Sequence, residues 1–304
     1  MIGDIKRLLL LPHIKVHNAN ALSSPFTIGF PAMTAWLGAM HALQRKLNTG
    51  GLQGAKFNNM AVVSHTMNLQ IHRGHGDYVY SILATGNPLD KDGDRPAFIE
   101  EARCHLDVSL LIEYTGINKD DEVSFIEQIV HHLSASLKIA GGDILSFQEP
   151  TLHRIEEGND IDLRKLTRKL MPGYAIIERR ELMIEAMEKG QDALDAMLDY
   201  LAIHHRCDKD DENNVTWLSQ RKTSGWIVPI TTGFYGITEL GQAKNQRDPD
   251  TPHRFAESVV TLGEFRMPHR ISSLDEILWC YHVDLDKNLY LCEQVNYSKQ
   301  INKF

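Results

Sequence analysis

The chain has 304 residues, 42% of them hydrophobic and 24% charged, with a formal net charge of −8. That supports one large domain or two small ones around a real core. It excludes a globally basic nucleic-acid binder, so any phosphate-binding surface must be local and offset by acidic surface elsewhere. Cys104, Cys207, Cys280 and Cys292 stand apart without a CxxC pair, which argues against a disulfide framework or a cysteine-based zinc site. The Leu8–Leu11 run is too short to span a membrane and carries no signal-peptide cleavage pattern. The expected location is the cytoplasm, with no membrane partner.

Leu8 to Val16 is apolar and β-prone, a buried strand. Asn18 to Pro31 is rich in Asn, Ser, Thr, Pro and Gly, the chemistry of a long ordered loop. From about Ala32 the period changes: Met33, Trp36, Leu37, Met40, Leu43 and Leu47 form the buried face of a helix, with Thr34, Gly38, His41 and Arg45 opposite. Met60 to His72 alternates, with Val63, His65, Met67 and Leu69 predicted on one face. Tyr78 to Leu83 returns as a strand after a turn, and Gly86 to Pro96 is a loop.

Phe98 to Tyr114 is the clearest strand, with Cys104, Leu106, Val108, Leu110 and Ile112 as its apolar face. A helix follows from about Asp121, its apolar spacing carried to Leu137 and Ala140 and stopped by Gly141-Gly142. Asp143 to Phe147 reads as another strand. The order matches a ferredoxin-like or RRM-like βαββαβ unit with an elongated middle hairpin. In that arrangement two helices cover one sheet face and leave the other available to RNA. No RNP1 aromatic run is present, which disfavours a generic base-stacking RRM.

Residues 150–163 are polar and irregular. Arg164, Lys165, Arg168 and Lys169 then fall at helical spacing before Pro172-Gly173. Glu181 to Glu212 is acidic, with Met183, Met187, Leu194, Met197, Leu198 and Leu201 as an apolar stripe suited to being covered by a partner. The expected organisation is one domain over 1–304: an RRM-like core at 1–149, a mainly helical insertion at 150–214, and C-terminal strands and loops at 215–304 completing the core. Within that last part Thr216 to Gly236 and Leu289 to Val295 read as strands. Leu274 to Tyr281 reads as a short helix with a Ser272 or Ser273 cap and Glu276 completing a capping box.

Several blocks also carry a resemblance. NANALSSP, GFPAMTAWLGAMHALQR, GNPLDKDG, EEARCHLDVSLL, AGGDIL, RKLTRKLMPGYAII, GWIVPITTGF, TPHRFAESVVTLGEF and PHR occur in this order over most of the chain. Together they resemble the second-subunit family of the type I-F CRISPR surveillance complex, the Csy complex. The resemblance implies a Cas-five-like, RAMP-type modification of the ferredoxin-like fold: α+β, an antiparallel sheet with helices on one face, and a helical thumb-like insertion. It implies a non-catalytic subunit that holds the 5′ handle of the guide RNA (crRNA). The implied partners are the large subunit, the terminal backbone subunit and target double-stranded DNA near the PAM. In some relatives this subunit is fused to the large subunit; here the large subunit is expected in trans. No cofactor or metal is expected.

Asn18, Asn20, Ser23 and Ser24 offer amides and hydroxyls beside a helix entry, either as an RNA cradle or as a loop capping its own backbone. The family role favours the cradle. Arg164, Lys165, Arg168 and Lys169 are either phosphate contacts or a solvated helix face. Arg45 is a further candidate, and Arg247, Arg254, Arg266 and Arg270 are either phosphate contacts or ion-pair partners of Asp248, Asp250, Glu257 or Glu264, with ion pairing favoured for Arg247. His41 lies on the polar stripe of the first helix and could serve as a general base, but no positioned partner is evident. That leaves a metal-independent guide-processing endoribonuclease as the alternative. His131-His132 and His204-His205 are adjacent pairs on predicted helices, so their side chains diverge. HExxH, Walker A, GxGxxG, GxSxG and paired-carboxylate signatures are missing.

Overall fold

The computed structural model describes residues 5–83, 89, 91–94, 101–156, 158–209, 214–244, 246 and 248–295. The architecture is mixed α+β, dominated by one large antiparallel sheet.

The chain begins with β1 (Ile5–Asn20), the short hairpin β2 (Leu22–Ser24) and β3 (Thr27–Ile28), then α1 (Met33–Thr49). Next come β4 (Lys56–Leu69), the small ladder β5 (Ile71–His72) with β6 (Ser81–Ile82), then β7 (Arg103–Thr115), α2 (Glu122–Ala135), β8 (Lys138–Ile139) and β9 (Gly142–Ser146). Neighbours in this part of the sheet run β4, β7, β1, β9, with β10 (Thr151–Glu156) pairing the first residues of β1. Then follow α3 (Asp160–Lys169), β11 (Tyr174–Glu178), α4 (Arg180–Glu188), α5 (Ala193–Leu201) and an exposed hairpin of β12 (His204–Lys209) and β13 (Val215–Gln220). The chain closes with β14 (Trp226–Gly236), β15 (Ala256–Arg266), β16 (Trp279–Asp284) and β17 (Leu289–Gln294). Because β11 pairs both β15 and β4, the C-terminal strands curl into a closed ring with them.

Leu8 to Leu11 are all buried, and their alternation separates two cores. Leu9 and Leu11 face the core under α1 and α2, with Trp36, Leu37, Phe125 and Ile129. Leu8 and Leu10 face a second core formed by Leu166 of α3 and Leu170 just after it, with Ile271, Leu274, Ile277 and Leu278. Each such leucine is worth roughly 1.5–3 kcal/mol of burial. The sheet is therefore covered on both faces at this end, and the expectation of helices on one face only is corrected. The four-leucine run was the signal: a strand covered on one side alternates, and this one does not.

Other differences have local causes. In β4 a bulge between Ser64 and Thr66 reverses the alternation, so His65 points to the second face while Met67 and Leu69 pack in the first core. α2 stops at Ala135, and Ala140 and Gly141, both at positive φ, turn the β8–β9 hairpin rather than cap a helix. Asn18 to Pro31 holds the end of β1 and the β2–β3 hairpin. Thr151–Glu156 is a strand, not irregular. His204 and His205 lie on β12, not on a helix. Leu274–Glu276 is a single 3-10 turn before β16, with the expected Ser273–Glu276 capping box. Part of the Gly86–Pro96 loop and the start of the Phe98 strand lie outside the described residues. In the apolar stripe of α4 and α5, Met183 and Met197 pack with Ile227 and Leu262, while Met187, Leu194 and Leu198 stay exposed.

Candidate nucleic-acid interface

A groove of about 990 Å³ opens beside α1 on the first face of the sheet. Its floor is the polar stripe Thr34, Gly38, His41 and Arg45, which helical spacing keeps in line. Nothing lies within 4 Å of where a Gly38 side chain would start, so the floor is open there. The N-terminus of α1 also borders the groove. No side chain caps it and no acid sits in its first turn, so the positive end of the helix dipole is available to an anion. Arg45 is exposed and pairs with no carboxylate among the described residues. Arg103 and Lys138 add charge, each held by a single acidic partner, Glu101 and Asp143.

The opposite wall is aromatic, made of Phe234, Tyr281 and Tyr290. The two tyrosine rings lie 5.4 Å apart, and Phe234 is 40% exposed. Burial raises the pKa of both tyrosine hydroxyls above the ordinary value. A basic floor, a helix N-terminus and an aromatic wall are the ingredients of single-strand recognition: charge for phosphates and ring faces for bases.

Of the turn residues, Asn20 and Ser23 line this groove. Asn20 Oδ1 accepts from the Leu22 N–H at 2.9 Å, which leaves its amide nitrogen free to donate. Ser23 Oγ bonds Thr27 Oγ1 at 2.9 Å, and buried Ser24 bonds the same hydroxyl at 2.5 Å. Asn18, at φ 59°, donates its backbone N–H to His105 Nδ1 at 3.0 Å and does not line the groove. The turn thus partly caps itself while two of its residues face the groove.

The basic candidates divide. Arg164, Arg168 and Arg270 line a second groove of about 470 Å³, with His269, on the other face of the sheet. Lys165 is tied to Asp162 at 3.1 Å. Lys169 is exposed and outside both grooves. Arg254 lies over Gly236 and donates to Asn288 Oδ1. Arg266 holds Glu264 and Glu276, and Arg247 lies outside the described residues. His41 is exposed and has no hydrogen-bond or ion-pair partner among the described residues.

One polar cluster has no counterpart in the sequence reading. On the second face, His13, His65 and Asp107 gather their ligand atoms within 4.8 Å. His65 Nδ1 donates to the Pro172 carbonyl at 2.5 Å, so its Nε2 accepts from Ser109 Oγ at 2.7 Å. His13 Nδ1 meets Asp107 Oδ1 at 3.0 Å. The imidazoles stack 4.1 Å apart with 23° between planes. Their in-plane lone pairs run side by side, and a metal about 2.1 Å from both would require a ring to turn. Burial lowers the His65 pKa from its ordinary value, with His13 adding to the effect against the pull of the Pro172 carbonyl and Asp107. Three strands supply the cluster, so no sequence spacing announces it.

No described helix is long and apolar enough to cross a membrane, and all four cysteines are free thiols. The family model described as CRISPR-associated protein (Cas_Csy2) matches residues 9–292. The CRISPR-associated protein Csy2 of Pseudomonas aeruginosa (strain UCBPP-PA14) is 35% identical, with 95% of each chain covered. With nearly the whole chain matched by both, the protein belongs to the Csy2 family of CRISPR-associated proteins.

Proposed function

We propose that the chain is a non-catalytic guide-binding subunit of the type I-F CRISPR interference complex. It holds the 5′ handle of the crRNA in the α1 groove and pairs with the large subunit at the PAM end, where the target duplex enters. It also meets the terminal backbone subunit, and it works in the cytoplasm. The observation that carries this reading is the groove itself: the uncapped α1 N-terminus, Arg45 and Asn20 lie across from an exposed aromatic wall.

Two further features support it. The sheet order β9, β1, β7, β4 is the strand order of a ferredoxin-like βαββαβ unit, in keeping with a RAMP-type core over 1–149. Residues 150–214 carry α4, α5 and β12, and β12 pairs with β13 just beyond, whose Val215, Trp217 and Leu218 are at least half exposed. Such apolar exposure suits a protein partner, and this segment is the thumb-like insertion of the proposal.

The test is competitive binding of handle RNA against unrelated RNA of equal length, using the chain with its large partner. Replacing Asn20 by Ala and Arg45 by Gln together should reduce handle preference by roughly 1–3 kcal/mol. Unchanged discrimination, or cleavage of repeat RNA by the chain alone, would contradict the proposal.

A further inference from the structure

The groove on the second face differs in chemistry from the one beside α1. Arg164 and Arg168 stand one helical turn apart on α3, and Arg270 ends the 3-10 turn Pro268–Arg270. More than a hundred positions separate them in sequence. They meet because Leu166 of α3 and Leu170 just after it share a core with Ile271 and Leu274, directly after that turn. No carboxylate among the described residues pairs with any of the three. Elsewhere Arg7, Arg154, Arg179, Arg180 and Arg266 all hold acids. Among the described residues, Asp160 is the one acidic side chain lining the groove. The hydroxyls of Thr167 and Ser272 are already engaged, by the Arg164 carbonyl and by Glu276.

Among the described residues, no aromatic side chain other than His269 lines this groove. Sites for single strands combine positive charge with rings on which bases stack. Three free guanidiniums without such rings offer only phosphate recognition, which suits a nucleic acid whose bases are already paired. We propose that Arg164, Arg168 and Arg270 form a site for the phosphate backbone of a duplex, separate from the single-strand groove beside α1. The inference rests on the reading above in one respect, that a duplex is among the chain's partners; it adds which residues meet it. Because α1 and α3 lie on opposite faces of the sheet, both sites can be filled at once.

The experiment uses the guide-loaded complex containing either the parent chain or one of three variants: Arg164→Gln with Arg168→Gln, Arg270→Gln alone, and Asn20→Ala with Arg45→Gln. Guide content is read from co-purified RNA. Affinity for a 30-base-pair DNA of unrelated sequence is measured at several salt concentrations, about 30 pairs being long enough to cover one such site. The double arginine variant should keep its guide and lower the slope of log affinity against log salt by about two units, and Arg270→Gln by about one. The Asn20/Arg45 variant should co-purify with less guide than the parent and leave the duplex slope unchanged. An unchanged slope in both arginine variants overturns the duplex site. So does loss of guide from folded arginine variants with duplex binding intact, since the arginines would then hold RNA. If the parent complex carries no guide, the functional reading fails instead, and the same duplex titrations on the full chain still decide this inference.

Discussion

His65 is held where a neutral imidazole fits. Its Nδ1–H is committed to the Pro172 carbonyl, Ser109 donates to its Nε2, and the His13 ring covers its face. Burial lowers its pKa, so below the unfolded value of 6.5 the unfolded chain binds more protons there than the folded chain. The sign is therefore fixed: this contribution to stability is complete above that value and is lost as pH falls toward the lowered folded pKa. In denaturant titrations from pH 7.5 to 5, over which an unperturbed histidine titrates, His65→Gln should show a shallower loss of stability than the parent. Equal pH slopes would show that the cluster does not hold His65 neutral.

Glu178 behaves in the opposite sense. It is almost wholly buried, and burial pushes its pKa up to about 7 against the pull of Arg180, which also holds Glu293. A raised carboxylate favours the fold below its unfolded pKa of 4.5 and loses that advantage as pH rises toward 7. Removing the shared cation is the harsher change. Arg180→Met should cost about 3–5 kcal/mol, read as a shift in the urea midpoint, because two buried carboxylates lose their counter-charge. A cost under about 1 kcal/mol would mean that water reaches the site.

At the scale of elements, α1 and its flanks were the most legible part of the chain. Seven buried residues repeat on one side of the helix, and the stripe Thr34, Gly38, His41 and Arg45 lines the groove on the other, a pattern that one amphipathic helix writes directly into sequence. Gly38 tests whether the outer stripe matters for more than solubility. Gly38→Ala should stabilise the helix by about 0.5–1 kcal/mol, since nothing lies near the added methyl. Gly38→Met should fold as well as the parent and yet weaken handle binding by filling the groove floor. Full handle affinity in a folded Gly38→Met protein would show that the handle does not bind in the groove. Less legible were elements whose meaning depends on distant partners. β10 looked irregular because its register is set by β1. The bulge at His65 left no mark in composition, and it reversed which side of β4 faces which core. α3 showed its basic spacing, but its union with Arg270 depends on the second core.

At the scale of the molecule, a net charge of −8 coexists with two local basic grooves on opposite faces of one sheet. The sequence reading placed eleven candidate residues in one functional group. The structure divides them among the α1 groove, the arginine groove and positions that serve the fold, such as Ser24 in its turn and Arg254 over Gly236. That division could not be read from the chain, because it follows from which sheet face each element covers. The proposed role of the α1 groove is to hold the 5′ end of the guide. The most direct measurement is crosslinking in the assembled complex, with a photoreactive nucleotide in the handle and mass spectrometry of the attached peptides. Crosslinks are expected in this chain at peptides containing Asn20–Arg45 and Tyr281–Tyr290. Crosslinks confined to other subunits, or in this chain only to the α3 face, would contradict that role.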